Sequence, residues 1–193
     1  MTMTHSSLSS DQAWQRLRQL IVDLAVVPGK VTLSSGKQAN YYVDLRRVTL
    51  QHEAAVLVGQ VMLDLLDREG IAFDAAGGLT MGADPVGNAI MHRAAGLGRS
   101  IDAFVVRKAQ KSYGMGRQVE GPDVAGRTVL AVEDTCTTGG SVLTAVEALR
   151  AAGAKVAAVA VIVDRATGAQ EKVEQAAGIP YLYAYSKADL GLD

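Results

Sequence analysis

One cysteine, Cys136, stands in the 193 residues, so no disulfide can close within the chain. A lone thiol fits a reducing compartment. No cluster of histidine, cysteine and carboxylate residues at metal-ligand spacing is visible either. Charge excess is also missing: 19 Lys and Arg against 20 Asp and Glu leave a net charge of −1. That excludes a general nucleic-acid binder, which carries a basic surplus for the phosphates it neutralises. Long apolar runs are absent; Val156 to Val163 falls far short of the roughly 18 residues that span a bilayer. The first ten residues are Ser/Thr-rich without a basic start and apolar block. They read as a frayed tail and not as a secretory signal. Internal repeats and low-complexity linkers are not found. The expectation is a soluble, cytoplasmic chain that uses no membrane and no nucleic acid.

What is present is core. Hydrophobic residues make up 49% of the chain and charged residues 20%, enough apolar side chain for one domain over 1–193. Apolar residues at helical spacing (Trp14, Leu17, Leu20, Ile21, Leu24) predict a helix over Asp11 to Val27, ended by Pro28-Gly29. Two short β-like pieces around a Gly turn follow in residues 31–45, and the region 11–45 is expected to form a small N-terminal hood. His52 to Arg68 reads as a second helix. A βα alternation then takes over. Strands are expected at Phe73 to Gly77, Asp102 to Val106, Val129 to Val132 and Val156 to Val163, with an edge strand at Ile179 to Tyr183. Gly82-Ala83-Asp84-Pro85 predicts a helix start, with Asp84 as N-cap and Pro85 at the first position, running to about Gly96. Continuous apolar strands alternating with helices imply an α/β fold with a central parallel sheet flanked by helices. Ligands bind such sheets at the carboxyl ends of the strands. Arg107, Glu133, Asp134, Asp164 and Arg165 all fall there.

The most informative stretch runs from 129 to 141. Val129 to Val132 makes a buried strand, Glu133 and Asp134 stand at its end, and Thr135-Cys136-Thr137-Thr138-Gly139-Gly140-Ser141 opens a helix over Val142 to Arg150. A Gly-rich turn lets backbone N–H groups close on a phosphate, and the helix start adds its positive dipole end. Hydroxyls of Thr and Ser add donors. The carboxylates repel a phosphate; they suit sugar hydroxyls, or the cationic character of a carbon losing its leaving group. Neither a Walker loop nor a G-x-G-x-x-G fingerprint fits here. The pattern describes a sugar-phosphate site.

Residues 107–121 contain no convincing helix, and a structureless segment of this length within a compact domain reads as a functional lid or as disordered, with a solvated basic loop as the plainer alternative. Arg107, Lys108, Lys111 and Arg117 precede the nearby acids Glu120 and Asp123, and Gly114 and Gly116 can serve as hinges. Beside a phosphate cradle this is a flexible cationic cover for a polyphosphate.

The 129–141 string resembles the phosphoribosyl-diphosphate signature of the type I phosphoribosyltransferases. Together with Val-Arg-Lys-x-x-Lys at 106–111, Val-Asp-Arg at 163–165 and Ser-Ser-Gly-Lys…Tyr-Tyr-Val-Asp at 34–44, it is similar to the orotate phosphoribosyltransferases over residues 12–190. The resemblance implies the type I phosphoribosyltransferase fold with hood and flexible lid. It also implies a reaction in UMP biosynthesis: orotate and phosphoribosyl diphosphate give orotidine 5′-phosphate and diphosphate. Glu133 and Asp134 would then hold the ribose hydroxyls, and Thr135 to Ser141 the 5′-phosphate. Thr137 and Arg165 would meet orotate, Arg165 through its carboxylate. Arg107, Lys108, Lys111 and Tyr113 would face the diphosphate, with Arg107, Lys108, Lys111 and Asp134 as the catalytic set. Mg²⁺ is implied as cofactor, held mainly by substrate and water, with no metal ligand from the protein. A homodimer that shares its lid residues across subunits is implied as well.

Three positions depart from the commoner pattern: Tyr113 stands for a lid histidine, Ser34 for a hood lysine, and Gly82 for another lysine. Positive charge around the diphosphate is reduced accordingly. Tyr41 and Tyr42 either pack in the core or flank the orotate ring, and Arg165 has a surface ion pair with Asp164 as its other use. The alternatives for the whole chain are another nucleobase phosphoribosyltransferase, or a non-catalytic regulator that senses phosphoribosyl diphosphate.

Overall fold

The computed structural model describes residues 8–32, 38–109 and 117–192. Helix α1 (Ser10–Leu20) starts on a capping box in which Ser9 and Gln12 satisfy each other's backbone N–H. It buries Ala13, Leu17 and Leu20 and continues as one π-helical turn, Ile21–Ala25. The helix therefore ends at Ala25, short of the expected Val27, because Val26 already pairs with Val43. Strands β1 (Val26–Thr32) and β2 (Gln38–Val43) form an antiparallel two-stranded sheet. Pro28-Gly29 lies inside β1 and does not stop the helix. A register shift between Pro28 and Val31 is the kind of irregularity at which a two-stranded ribbon accepts a residue without an N–H.

A short helix α2 (Arg46–Thr49) leads into α3 (His52–Arg68), whose limits match the expectation from the sequence. The main sheet then builds from β3 (Ala75–Leu79), β4 (Asp102–Val106), β5 (Val119–Glu120), β6 (Thr128–Cys136), β7 (Lys155–Asp164) and β8 (Tyr181–Ser186), in the order β5-β4-β3-β6-β7-β8. All neighbours are parallel except β4 and β5. Between them come α4 (Ala83–Gly96), α5 (Gly140–Ala151) and α6 (Ala169–Ala177).

Both sheet faces are covered, and the two-residue alternation of the strands divides the core. Leu130, Val132, Ala158, Ala160 and Ile162 pack with α1, α3 and α4. Val129, Ala131, Val159 and Val161 pack with α5 and α6. Alternate residues of one apolar run thus serve two layers, so the runs show no polar interruption.

Three local expectations are corrected. The strand after α3 begins at Ala75 and not at Phe73. The edge strand β8 begins at Tyr181 and not Ile179: Pro180 has no N–H to donate, although its carbonyl accepts from Val159 N–H at 2.9 Å. At the start of α4, Gly82 is the N-cap and Asp84 lies in the first turn. The Asp84 side chain accepts from Thr80 Oγ1 at 2.8 Å, and no side chain caps the helix N–H groups. A further strand, β5, was not expected inside 107–121.

Candidate active site

The carboxyl ends of β3, β6 and β7 meet the β1–β2 hairpin at a cavity of about 430 Å³. The pairing of Cys136 with Asp164 brings the end of β6 beside the end of β7, which sets the acidic pair next to Arg165. From the hairpin side the cavity is lined by Tyr42, Asp44 and Arg46, from the β3–α4 turn by Thr80, Met81 and Gly82, and from the β4 end by Lys108. Glu133, Asp134, Thr135, Thr137, Ser141 and Arg165 complete it.

Glu133 and Asp134 belong to β6 itself, which runs four residues beyond the expected Val132. Glu133 is buried. Asp134 N–H donates to Glu133 Oε1 at 3.3 Å, and Thr135 N–H donates to Asp134 Oδ1 at 2.6 Å. Burial, followed by the neighbouring charges of Asp134 and Asp84, pushes the Glu133 carboxyl up to about 8. Asp134 is also raised by burial, against the opposing influence of the Thr135 N–H and the Arg46 charge. A buried and a half-buried carboxyl side by side resist losing both protons until donors arrive to share the charge. Thr135 Oγ1 is buried without a partner.

Gly139 caps α5 with φ +76°, a left-handed conformation that glycine adopts freely. A Cβ there would stand 2.7 Å from Val173 Cγ2. The cap offers no side-chain acceptor, so the first N–H groups of this 12-residue helix keep their donors for an anion. Thr137 and Ser141 face the cavity from the same loop.

The remaining expected site residues lie elsewhere. Cys136, one step along the strand from Thr135, is buried in the core layer that also holds Val142, Val173 and Tyr181. Burial pushes its thiol up, away from nucleophilic chemistry. Thr138 and Gly140 are exposed, and Gly139 is buried; among the described cavity walls none of the three contributes. Arg107 stands beside the hairpin stem. Its N–H donates to the Gln118 carbonyl at 2.8 Å, and its guanidinium is 3.7 Å from Glu120 Oε1. The stem β4–β5 thus anchors both ends of the expected lid. Lys111 and Tyr113 lie outside the described residues, as do Ser34, Gly114 and Gly116.

Arg165 does not pair with Asp164. The Asp164 carboxylate accepts from Tyr181 Oη and from Ala166 N–H, both at 2.9 Å. The Arg165 guanidinium instead lies 5.9 Å from the Tyr41 ring centroid, whose hydroxyl donates to the Leu192 carbonyl at 2.9 Å. Of the two hood tyrosines, Tyr41 is packed and supports Arg165, while Tyr42 is exposed on the cavity wall.

Sequence reasoning overlooked Arg46. It lines the cavity, and its Nε donates to Asp44 Oδ1 at 2.8 Å; that contact raises its already high proton affinity. The available signal is an acid and a base two residues apart directly after the alternating strand that ends at Val43. Arg46 and Met81 also border a larger apolar groove of about 900 Å³ between α2, α3 and α4.

Residues 64–180 match the phosphoribosyl transferase domain family. The orotate phosphoribosyltransferase of Streptomyces coelicolor is 66% identical over 177 residues, covering 92% of this chain and 96% of the relative. That of Mycobacterium avium is 56% identical over 178 residues, covering 92% and 96%. The crystal structure of Mycobacterium tuberculosis orotate phosphoribosyltransferase in complex with 5-phospho-α-D-ribosyl 1-diphosphate superimposes with a TM-score of 0.79 at 49% identity, covering 93% of this chain and 99% of that one. Sequence and overall fold agree: the chain belongs to the phosphoribosyltransferase family and, within it, to the orotate phosphoribosyltransferases.

Proposed function

We propose that the crevice transfers the 5-phosphoribosyl group of phosphoribosyl diphosphate to orotate, giving orotidine 5′-phosphate and diphosphate for UMP synthesis. One observation carries this reading: the acidic pair Glu133-Asp134, the uncapped start of α5 and Arg165 open on one cavity. The loop and α5 N–H groups, with Thr137 and Ser141, take the 5′-phosphate. Glu133 and Asp134 accept hydrogen bonds from the ribose hydroxyls, which places C1′ toward Arg165. Arg165 meets the orotate carboxylate through two parallel hydrogen bonds, and Thr137 and Tyr42 border the base. Rupture of the C1′–diphosphate bond leaves a cation-like ribosyl carbon. Asp134 stabilises that carbon electrostatically.

Lys108 stands at the cavity, and Arg107, Lys111 and Tyr113 belong to the lid whose stem is β4–β5. Its closure excludes water from the reactive carbon and adds positive charge to the departing diphosphate. The donors at the site are hard oxygens: two carboxylates and the unpartnered Thr135 hydroxyl. Among the described residues no group of three or more His, Cys, Asp or Glu side chains is placed to cage a metal. Such a set fits Mg²⁺, which keeps waters and takes most ligands from substrate. When bound, the ion would neutralise diphosphate charge; substrate and water would supply its ligands, and Glu133 and Asp134 would hold it through that water shell.

The working unit in this reading is a homodimer, with each lid closing over the neighbour's crevice. A second copy is the occupant we assign to the apolar groove. Leu50, Val56 and Met81, all well over half exposed, converge there, and the groove runs into the crevice through Arg46 and Met81. Hood, sheet and lid act as one domain over 1–193. The single buried, unpaired Cys136 supports a reducing cytoplasmic setting, and no helix among the described residues is long and apolar enough to cross a membrane.

Incubation of the protein with orotate, phosphoribosyl diphosphate and magnesium tests the proposal through loss of orotate absorbance. Turnover of adenine, xanthine or uracil in place of orotate overturns it, since those bases carry no carboxylate for Arg165. Salt-sensitive RNA binding without turnover would point to a regulator instead.

A further inference from the structure

We infer that the turn Asp164 to Thr167 is a clamp that fixes Arg165 against the phosphate loop, with Thr167 and Tyr181 as its positioning residues. The inference rests on the reading of Arg165 as the partner of the orotate carboxylate.

Arg165 follows the last residue of β7 and has to hold a long, flexible side chain in one place. Several contacts constrain its backbone. Its own N–H donates to the Cys136 carbonyl at 3.0 Å, and the next residue, Ala166, donates its N–H to Asp164 Oδ2 at 2.9 Å. Ala166 is the one non-glycine residue with positive φ, +52°, among the described residues, a conformation that persists only where surrounding bonds enforce it. Asp164 does the enforcing, and it is itself fixed. It is 7% exposed, and its second oxygen, Oδ1, accepts from the Tyr181 hydroxyl at 2.9 Å. That phenol also meets the Cys136 thiol, so one buried hydroxyl reaches both strands that carry the site. At the far end of the turn, Thr167 Oγ1 donates to the Thr137 carbonyl.

The turn is therefore sewn to the phosphate loop twice, by the N–H of Arg165 itself to Cys136 and by Thr167, two residues on, to Thr137. Among the described residues no ion pair claims the Arg165 guanidinium, and Tyr41 supports it from the hood. Neither Thr167 nor Tyr181 lines the cavity. Their effect reaches substrate only through Arg165, by holding it at a set distance from the 5′-phosphate.

Thr167 is exposed, so Thr167→Val removes the hydroxyl with little change of shape and no demand on the core. Steady-state kinetics with each substrate varied should show the orotate KM rising roughly three- to ten-fold, the size expected for one lost hydrogen bond. The KM for phosphoribosyl diphosphate should stay within about two-fold, and Thr167→Ser should restore the orotate KM. Tyr181→Phe should shift the orotate KM in the same direction. An unchanged orotate KM in Thr167→Val overturns the clamp. So does a parallel rise in both KM values, which is what mere loosening of the phosphate loop would produce. Arg165→Ala separates the two levels. If it leaves the orotate KM unaltered, the role of Arg165 fails and the clamp with it; if it raises that KM while Thr167→Val does not, the clamp alone fails.

Discussion

Gly82 stands directly above Glu133: a Cβ on this glycine would lie 2.6 Å from Glu133 Oε1 and 2.7 Å from Asp134 Oδ1. The absent side chain leaves room for both carboxylates to keep their present orientation. Its backbone, at φ −69° and ψ −39°, is helical, so alanine fits conformationally and only the contact is at stake.

Gly82→Ala should accordingly leave the fold intact and displace the acidic pair. Because misplacement of reacting groups by about 1 Å can cost as much as about 100-fold in rate, turnover per KM for phosphoribosyl diphosphate should fall at least about ten-fold. The melting temperature should change by only a few degrees. Kinetics and thermal unfolding of one preparation check both; wild-type kinetics would show that the pair does not need its present orientation.

The raised Glu133 carboxyl gives a second expectation. Its ordinary value is 4.5, and in the folded chain it is pushed up to about 8. Between these values the folded state holds more protons than the unfolded one, so stability falls as pH rises across the window and levels off above it. Asp134, also raised, adds to the same slope. Glu133→Gln cannot ionise. It should flatten the dependence of melting temperature on pH between about 5 and 8, and it should be more stable than wild type near pH 8.5. Parallel pH profiles for the two proteins would contradict this assignment.

Much of this was legible in the chain, for identifiable reasons. Strands β4, β6 and β7 each contain an apolar run next to charged residues, and α3 has helical periodicity with Gln51 accepting from its first N–H groups. The acidic pair and the loop to Ser141 are adjacent in sequence, so their proximity needed no tertiary knowledge. What escaped depended on the partner strand. Thr135 and Cys136 look alike as loop residues, yet strand alternation sends one to the cavity and the other to the core. Pro28-Gly29 carries the usual signs of a helix stop, but pairing with β2 overrides them. Arg46 reaches the crevice only because the hairpin folds over it, a long-range fact that local pattern does not carry.

The apolar groove leads to a prediction about assembly. Leu50 is 72% exposed and lines the groove without lining the crevice, so its replacement leaves the chemical groups untouched. Leu50→Glu would bury an unpaired charge in any interface formed there, at a cost of several kcal/mol. Analytical ultracentrifugation should show a dimer for the wild type and a monomer for the variant, with turnover falling in step. A variant that remains dimeric moves the interface to another face.

Sharing of the lid between subunits makes the sharpest demand. Lys111→Ala should lower turnover by roughly 10²–10³, the usual loss for one well-placed charged contact at a developing charge. Asp134→Asn should be similarly impaired through the ribose side of the site. In a mixed dimer the Lys111→Ala subunit still has an intact Asp134, and the Asp134→Asn subunit still has an intact Lys111. If each lid closes over the neighbour, one of the two crevices in that hybrid is complete. Random exchange of equal amounts makes half the dimers hybrids, so about a quarter of wild-type turnover should return. If each lid serves its own crevice, every site in the mixture lacks one group and nothing returns. Activity measured before and after subunit exchange, with hybrid formation verified by differently tagged chains, decides between these arrangements.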